Sequence, residues 1–140
     1  MKQTLLCITL ALACSSALAA SKTVTLTSGG ELSAQITADE KYTITELTVL
    51  GPVNGDDIAF IRDMAGKDAE GETTEGQLQV LDLSGATLVG GGIYYTDMRA
   101  VVDYEAVANE VGDQMFNNLK LTSVALPEGI TRIGQRAFYN

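Results

Sequence analysis

The sequence predicts a β-rich α+β fold in which units of about 22 residues stack into a solenoid. Residues 111–118 recur as residues 133–140, with Gly, Phe and the final Asn at identical positions. Three further segments, beginning at Ile44, Leu78 and Leu121, carry apolar residues at positions i, i+3 and i+5. A unit of this kind cannot enclose its own apolar side. Its stability therefore comes from burial against the neighbouring unit.

Composition limits the classes of function that the chain can serve. The 140 residues are 46% hydrophobic and 19% charged, which suits one folded domain and argues against disorder. The formal net charge is −9. Nucleic acid and anionic membrane surfaces are therefore unfavourable partners, because both are bound through clustered Lys and Arg. No transmembrane segment is expected in the mature chain.

The first 19 residues have the layout of a secretory signal peptide. An apolar run over residues 5–13 follows a short positive start, and Ala17 and Ala19 are the small residues that a signal peptidase requires. Cleavage is expected after Ala19, which gives a secreted or cell-surface protein. In the alternative interpretation, the chain is a lipoprotein that is lipidated at Cys14.

Both cysteines, Cys7 and Cys14, belong to this leader. A mature chain that starts at Ala20 has no cysteine, so its fold is expected to form without disulfide bonds.

Residues 20–100 are predicted to be a diverged capping region that resembles the later units. A strand is expected over residues 22–27 and a short helix over residues 31–38. Apolar residues at helical spacing predict a second helix from Asp57 to Ala65, with Asp57 as its cap. The acidic segment 67–76 is predicted to be a solvated loop, since its carboxylates lack the spacing of a calcium loop.

Residues 101–140 are predicted to form an incomplete series of repeats. Shifted by 22 positions, Val102 aligns with Val124, but Arg99 meets Leu121 and Glu105 meets Pro127, so the upstream copy is degenerate. We expect Phe116 and Phe138 to stack as a column. The predicted repeat core contains Leu47, Val49, Leu81, Leu83, Val111, Phe116, Leu121, Val124, Leu126, Ile130, Ile133 and Phe138.

The segment from Leu121 to Phe138 resembles one unit of the BspA-type leucine-rich repeat. The resemblance includes Pro127 after the strand, the Ile-x-x-Ile-Gly step at residues 130–134 and the pair Ala137-Phe138. It implies a secreted or surface protein that binds other proteins or host surfaces and has no enzymatic activity. Because such arrays normally hold many units, it also implies that the 140 residues are truncated and that further repeats or self-association cover the C-terminal end.

Three functions compete on the sequence alone. In the first, the protein is an adhesin-like module that binds a protein, host-surface or glycan ligand. The second is a purely structural cap of a longer array. The third, a remote alternative, is a hydrolase that uses the carboxylate pair Asp56-Asp57. No catalytic residue, metal site or cofactor is predicted. The candidate binding surface consists of Tyr94, Tyr95, Arg99, Tyr104, Thr122 and Ser123.

Overall fold

The computed structural model describes residues 20–140. The predicted leader, with Cys7 and Cys14, lies outside the described residues. In chain order the elements are β1 (Ala20–Thr25), α1 (Leu32–Gln35), α2 (Ala38–Lys41), β2 (Ile44–Val53), α3 (Gly55–Met64), β3 (Val80–Asp82), β4 (Ala86–Leu88), β5 (Ile93–Asp97), β6 (Val102–Glu105), β7 (Glu110–Val111), β8 (Ser123–Ala125) and β9 (Arg132–Ile133).

The main sheet places the three segments with i, i+3, i+5 spacing side by side. Strands β1, β2, β3 and β8 are neighbours in that order, and every pair is parallel. Leu47 pairs with Leu81, and Leu81 pairs with Val124. Since register decides which face of a strand is buried, this pairing brings equivalent apolar positions of successive segments to the same side.

Two further strand pairs, β2–β4 and β7–β9, lie beside the main sheet, and β2 belongs to both arrangements. The C-terminal part of β2 pairs in parallel with β4, and β7 pairs in parallel with β9. The backbone N–H of Asn109 donates to the carbonyl oxygen of Leu88 over 3.0 Å, which links the two pairs. In β7 and β9 the partners Val111 and Ile133 are 22 positions apart, as in the sequence repeat.

The two copies of the repeat also agree in backbone conformation. Gln114 and Arg136 occupy equivalent positions and have φ values of 56° and 55°, in the left-handed region. The rings of Phe116 and Phe138 stack with their centroids 5.5 Å apart. Backbone N–H groups of the first copy donate to carbonyl oxygens of the second: Gln114 to Gln135 (2.9 Å), Phe116 to Ala137 (2.7 Å) and Asn118 to Tyr139 (2.7 Å).

Strands β5 and β6 form an antiparallel hairpin, and neither strand is part of the main sheet. The strand β6 therefore follows β3 and β4 in the chain but does not lie between β3 and β8 in the sheet. This placement explains why Arg99 and Glu105 fail to match the later repeat. The expected boundary between residues 100 and 101 falls in the turn of the hairpin.

The second predicted helix begins two residues earlier than expected, and Asp57 is not its cap. Asn54 is the N-cap, and its side-chain oxygen accepts from the backbone N–H of Asp56 (3.0 Å) and Asp57 (3.2 Å). Asp57 is instead the third residue of the helix. Its carboxylate accepts from the N–H of Asn54 over 3.0 Å, which completes a capping box.

The carboxylate of Asp57 also connects α3 to the N-terminal part of the chain. The side chain is buried and accepts from the backbone N–H groups of Gly30 (2.7 Å) and Leu32 (2.9 Å). Leu32 begins α1, the first of two short helices that replace the single helix predicted over residues 31–38. The break occurs at Ile36, which is extended, and at Thr37, which caps α2.

One hydrophobic core includes residues from both predicted regions, 20–100 and 101–140. The predicted core residues, however, are not all buried. Leu121, Val124, Leu126 and Ile130 are half-buried. Ile133 is 58% exposed and Phe138 is 43% exposed, so their assignment to the core is wrong. Fully or nearly buried are Leu47, Val49, Leu81, Leu83, Val111 and Phe116.

We expect Phe116→Ala to lower the free energy of unfolding by about 3–5 kcal/mol, because it removes a buried aromatic side chain. Phe138→Ala is the matched control, and its effect should be clearly smaller because that ring is partly solvent-exposed. Denaturant unfolding of residues 20–140, followed by circular dichroism, measures both changes. Equal losses for the two variants would contradict the observed difference in packing.

Candidate binding surface

The base of the hairpin is fixed against the start of α3. The N–H of Gly55 donates to the carbonyl oxygen of Gly91 over 2.8 Å, and Ala106 donates to Gly92 over 3.0 Å. Gly91 and Gly92 have φ values of 93° and 78°, which glycine adopts without strain. A side chain at Gly55 would collide with the carbonyl of Gly92. These contacts hold the hairpin in one position relative to the helix.

Tyr94 is not part of an accessible surface, contrary to the sequence-based expectation. It is 1% exposed, and its hydroxyl donates to the carbonyl oxygen of Asp113 over 2.8 Å. Successive side chains of a strand point to opposite sides, and Tyr94 lies on the side of β5 that faces the protein. Burial raises the pKa of Tyr94 to about 12.

Tyr95 and Tyr104 are half-buried and stack on each other across the hairpin, with centroids 5.8 Å apart. The side-chain amide of Gln114 donates to the hydroxyl of Tyr104 over 2.9 Å. The guanidinium of Arg62 lies 4.7 Å from the centroid of the Tyr95 ring. The two tyrosines therefore join the hairpin to α3 and to the repeat, and only part of each ring faces solvent.

Arg62 is a functional candidate that the sequence analysis missed. It is 1% exposed, and its Nη1 donates to the carbonyl oxygens of Gln114 (3.2 Å) and Met115 (2.9 Å) and to Oδ1 of Asn117 (3.1 Å). Within residues 20–140 its Nε has no hydrogen-bond partner and no carboxylate pairs with it.

The position of Arg62 in the sequence contains a signal for its burial. Ile58, Ile61 and Arg62 are spaced i, i+3 and i+4, so they share one face of α3. Burial lowers the pKa of Arg62 to about 10, and the guanidinium therefore remains a cation at neutral pH. A cation in this position needs electron-rich neighbours, which the carbonyl oxygens and the Tyr95 ring supply.

The turn of the hairpin is the most exposed apolar feature of this region. Val101 is 85% exposed and has a φ of 55°, a conformation that is uncommon for a β-branched residue. Met98 is exposed beside it. The backbone N–H groups of Arg99 and Ala100 donate to the carboxylate of Asp97 over 2.9 and 3.1 Å. The turn is thus ordered by local hydrogen bonds while its side chains face solvent.

The remaining two candidate residues lie elsewhere. Thr122, just before β8, and Ser123, its first residue, are exposed at an edge strand of the main sheet. Arg99 and the three tyrosines belong to the hairpin region. The hydroxyl of Thr122 donates to the carbonyl oxygen of Gln79 over 3.2 Å. These small side chains offer little contact area, so the hairpin is the stronger candidate surface.

The acidic residues are engaged in local structure. The carboxylate of Asp68 accepts from the backbone N–H groups of Glu70 (3.0 Å) and Glu72 (2.8 Å), which orders the loop 67–76. Among the described residues, no cluster of three or more His, Cys, Asp or Glu has the arrangement of a metal site. Of the pair considered for a hydrolase, Asp57 is bound by three backbone N–H groups, and Asp56 is exposed.

The sequence matches no protein-family model, and no curated protein matches it significantly. In the described part of the chain, no helix has the length and apolar character needed to cross a bilayer.

We expect the protein to lose stability between pH 10 and about pH 12 as Tyr94 ionises. Folding raises its pKa, so this contribution is complete below pH 10, the ordinary value, and disappears as the pH approaches 12. Ultraviolet titration of tyrosinate, combined with denaturant unfolding at each pH, measures the effect. Tyr94→Phe should remove the late-titrating component, whereas the exposed-residue control Tyr139→Phe should retain it.

Proposed function

We propose that the chain is a secreted or surface-attached, non-catalytic binding protein of the BspA leucine-rich-repeat type, with an adhesin-like role. The observation that supports the proposal is the hairpin β5–β6, which projects an exposed turn from a tightly packed base. The predicted leader supports export. The ligand would be a protein or a host-surface component.

The hairpin turn has the composition of a protein contact. Arg and Met are enriched at interfaces, and Met98, Arg99 and Val101 lie together at the turn. The hydrogen bonds from the turn to Asp97 order the backbone before a partner arrives. A loop that is ordered in advance loses less conformational entropy on binding, which favours affinity. The unfavourable φ of Val101 is also typical of segments kept for function.

A second candidate function, the structural cap, is supported by a different surface. Ile133, Phe138 and Tyr139 are exposed at one end of the stacked segments. A groove of about 270 Å³ is lined there by Phe116, Leu121, Val124 and Phe138, among others. An apolar end of this kind is what a neighbouring repeat would cover, so we propose a further unit or a second copy of the chain as its occupant.

We expect the double variant Met98→Ser/Val101→Ser to weaken binding of residues 20–140 to a basement-membrane extract by at least about tenfold, equal to about 1.4 kcal/mol. Biolayer interferometry on the immobilised extract measures this change. Val107→Ser, which alters an exposed valine outside the hairpin, is the control and should bind as the wild type does. Equal binding by both variants would exclude the hairpin as the contact. A wild type that does not bind the extract would favour the cap function.

The cap function predicts that the native protein from secreting cells has a mass far above the 14.8 kDa of this sequence, or that residues 20–140 self-associate. Intact-mass spectrometry and sedimentation of the purified chain test the two forms of the prediction. In the second case, Phe138→Ser should return the assembly to monomers. A short native product that remains monomeric would contradict the cap.

A further inference from the structure

A polar cleft of about 420 Å³ lies beside the hairpin. One wall is the acidic loop 67–76, and the others come from the hairpin and from the repeat around residues 114–118 and Arg136. Its volume falls in the range of about 300–1,000 Å³ that is typical of ligand sites. The cleft is distinct from the apolar turn formed by Met98 and Val101, although Met98 borders both.

The cleft is lined by charges of both signs that do not neutralise each other. Glu70 and Glu72 lie on the loop wall, and Arg99 and Arg136 lie on the hairpin and the repeat. Asp97 also lines the hairpin wall, but its carboxylate already accepts from the backbone N–H groups of the turn. Within residues 20–140, none of the four Glu and Arg side chains makes an ion pair or a hydrogen bond; the cations that form ion pairs are Lys22, Lys41 and Arg132. The opposed charges therefore remain available to a ligand that enters between them.

The wall formed by the repeat is additionally electropositive because of the buried cation behind it. Arg62 has no carboxylate partner in the described residues, and its Nη1 donates to Oδ1 of Asn117 over 3.1 Å. Asn117 itself lines the cleft. Charges in a partly desolvated environment interact more strongly than charges in water. This wall therefore favours an anionic group of the ligand, while Glu70 and Glu72 favour a cationic one.

The aromatic side chain of the cleft does not suit a sugar ring. Tyr95 lines the cleft, but Tyr104 stacks on its ring and the Arg62 guanidinium lies over it. A neutral glycan would gain little stacking from this partly covered ring and would make no use of the charges on the two walls. A polyanion would meet Glu70 and Glu72. The lining therefore favours a ligand that carries both charges.

We propose that this cleft binds a short peptide segment that carries one cationic and one anionic side chain. The proposal rests on the proposed binding function and names the ligand class for a site next to the hairpin. The cation of the peptide lies against Glu70 and Glu72, and its carboxylate lies between Arg99 and Arg136. Such charge-assisted hydrogen bonds are stronger than those between neutral groups, and two opposite contacts also fix the direction of the peptide.

The test uses residues 20–140 and the blocked peptide acetyl-Lys-Ala-Ala-Glu-amide. Two control peptides replace either Lys or Glu by Gln, and maltotriose represents a neutral glycan. Isothermal titration measures affinity, and nitrogen-15 NMR identifies the amide groups that shift. We expect the doubly charged peptide to bind at least about fivefold more tightly than either control, with shifts at Glu72, Arg99 and Asn118. A higher salt concentration should weaken the binding of the doubly charged peptide.

Matched variants test the two walls separately. Glu72→Gln and Arg136→Gln should each weaken binding of the doubly charged peptide at least about fivefold. Glu128→Gln and Arg132→Gln make the same changes of charge outside the cleft and should leave the affinity unchanged. Thermal unfolding of each variant establishes that it is folded. Equal affinities for all variants, or equal affinities for all peptides, would overturn the proposal, as would binding of maltotriose alone.

The result of the peptide test can be distinguished from the result of the test of the proposed function. If the wild type binds the basement-membrane extract but not the doubly charged peptide, the cleft proposal is wrong and the binding function stands. If the peptide binds and also competes with the extract, both proposals are supported. If neither the extract nor the peptide binds, both are overturned.

Discussion

The parallel, in-register pairing of β2, β3 and β8 is the constraint on which the other features depend. It sets Leu47, Leu81 and Val124 opposite one another and thereby determines which residues of each segment are buried. It also separates the hairpin from the sheet, because β3 and β8 pair directly and leave no position for β6 between them. The exposed turn and the polar cleft beside it are consequences of that exclusion.

Two buried charged side chains connect α3 to the layers on either side of it. Asp57 accepts from the backbone N–H groups of Gly30 and of the first residue of α1. Arg62 donates to two carbonyl oxygens and to the side-chain amide oxygen of Asn117 in the repeat. Removing a charge from water is costly, and hydrogen bonds to the charged form offset much of that cost. Because these bonds are directional, they also define one orientation of the helix. The positions of Tyr95 and the cleft follow from that orientation.

The spacing of apolar residues in the sequence indicates where the strands lie better than it indicates which individual side chains are buried. The apolar spacing of residues 44–49, 78–83 and 121–126 coincides with β2, β3 and β8, since this spacing reflects burial directly. The burial of Tyr94 is not predictable in this way, because composition alone does not tell which side of β5 faces α3. The sequence offers both Asn54 and Asp57 near the start of α3, and only the structure shows that Asn54 is the cap. The burial of Arg62 depends on residues more than 50 positions away, which no local window includes.

The pairing of Leu81 with Val124 spans 43 positions, about twice the length of one repeat. Loop-closure entropy grows only with the logarithm of loop length, and a doubling costs about 0.6 kcal/mol. The segment between β3 and β8 therefore adds little to the entropic cost of pairing these two strands. The exposed turn of the hairpin lies within this segment and is free to vary in sequence, whereas buried residues of the same segment, such as Tyr94 and Phe116, are not. A site of this kind allows new exposed loops to arise without a compensating change in the core.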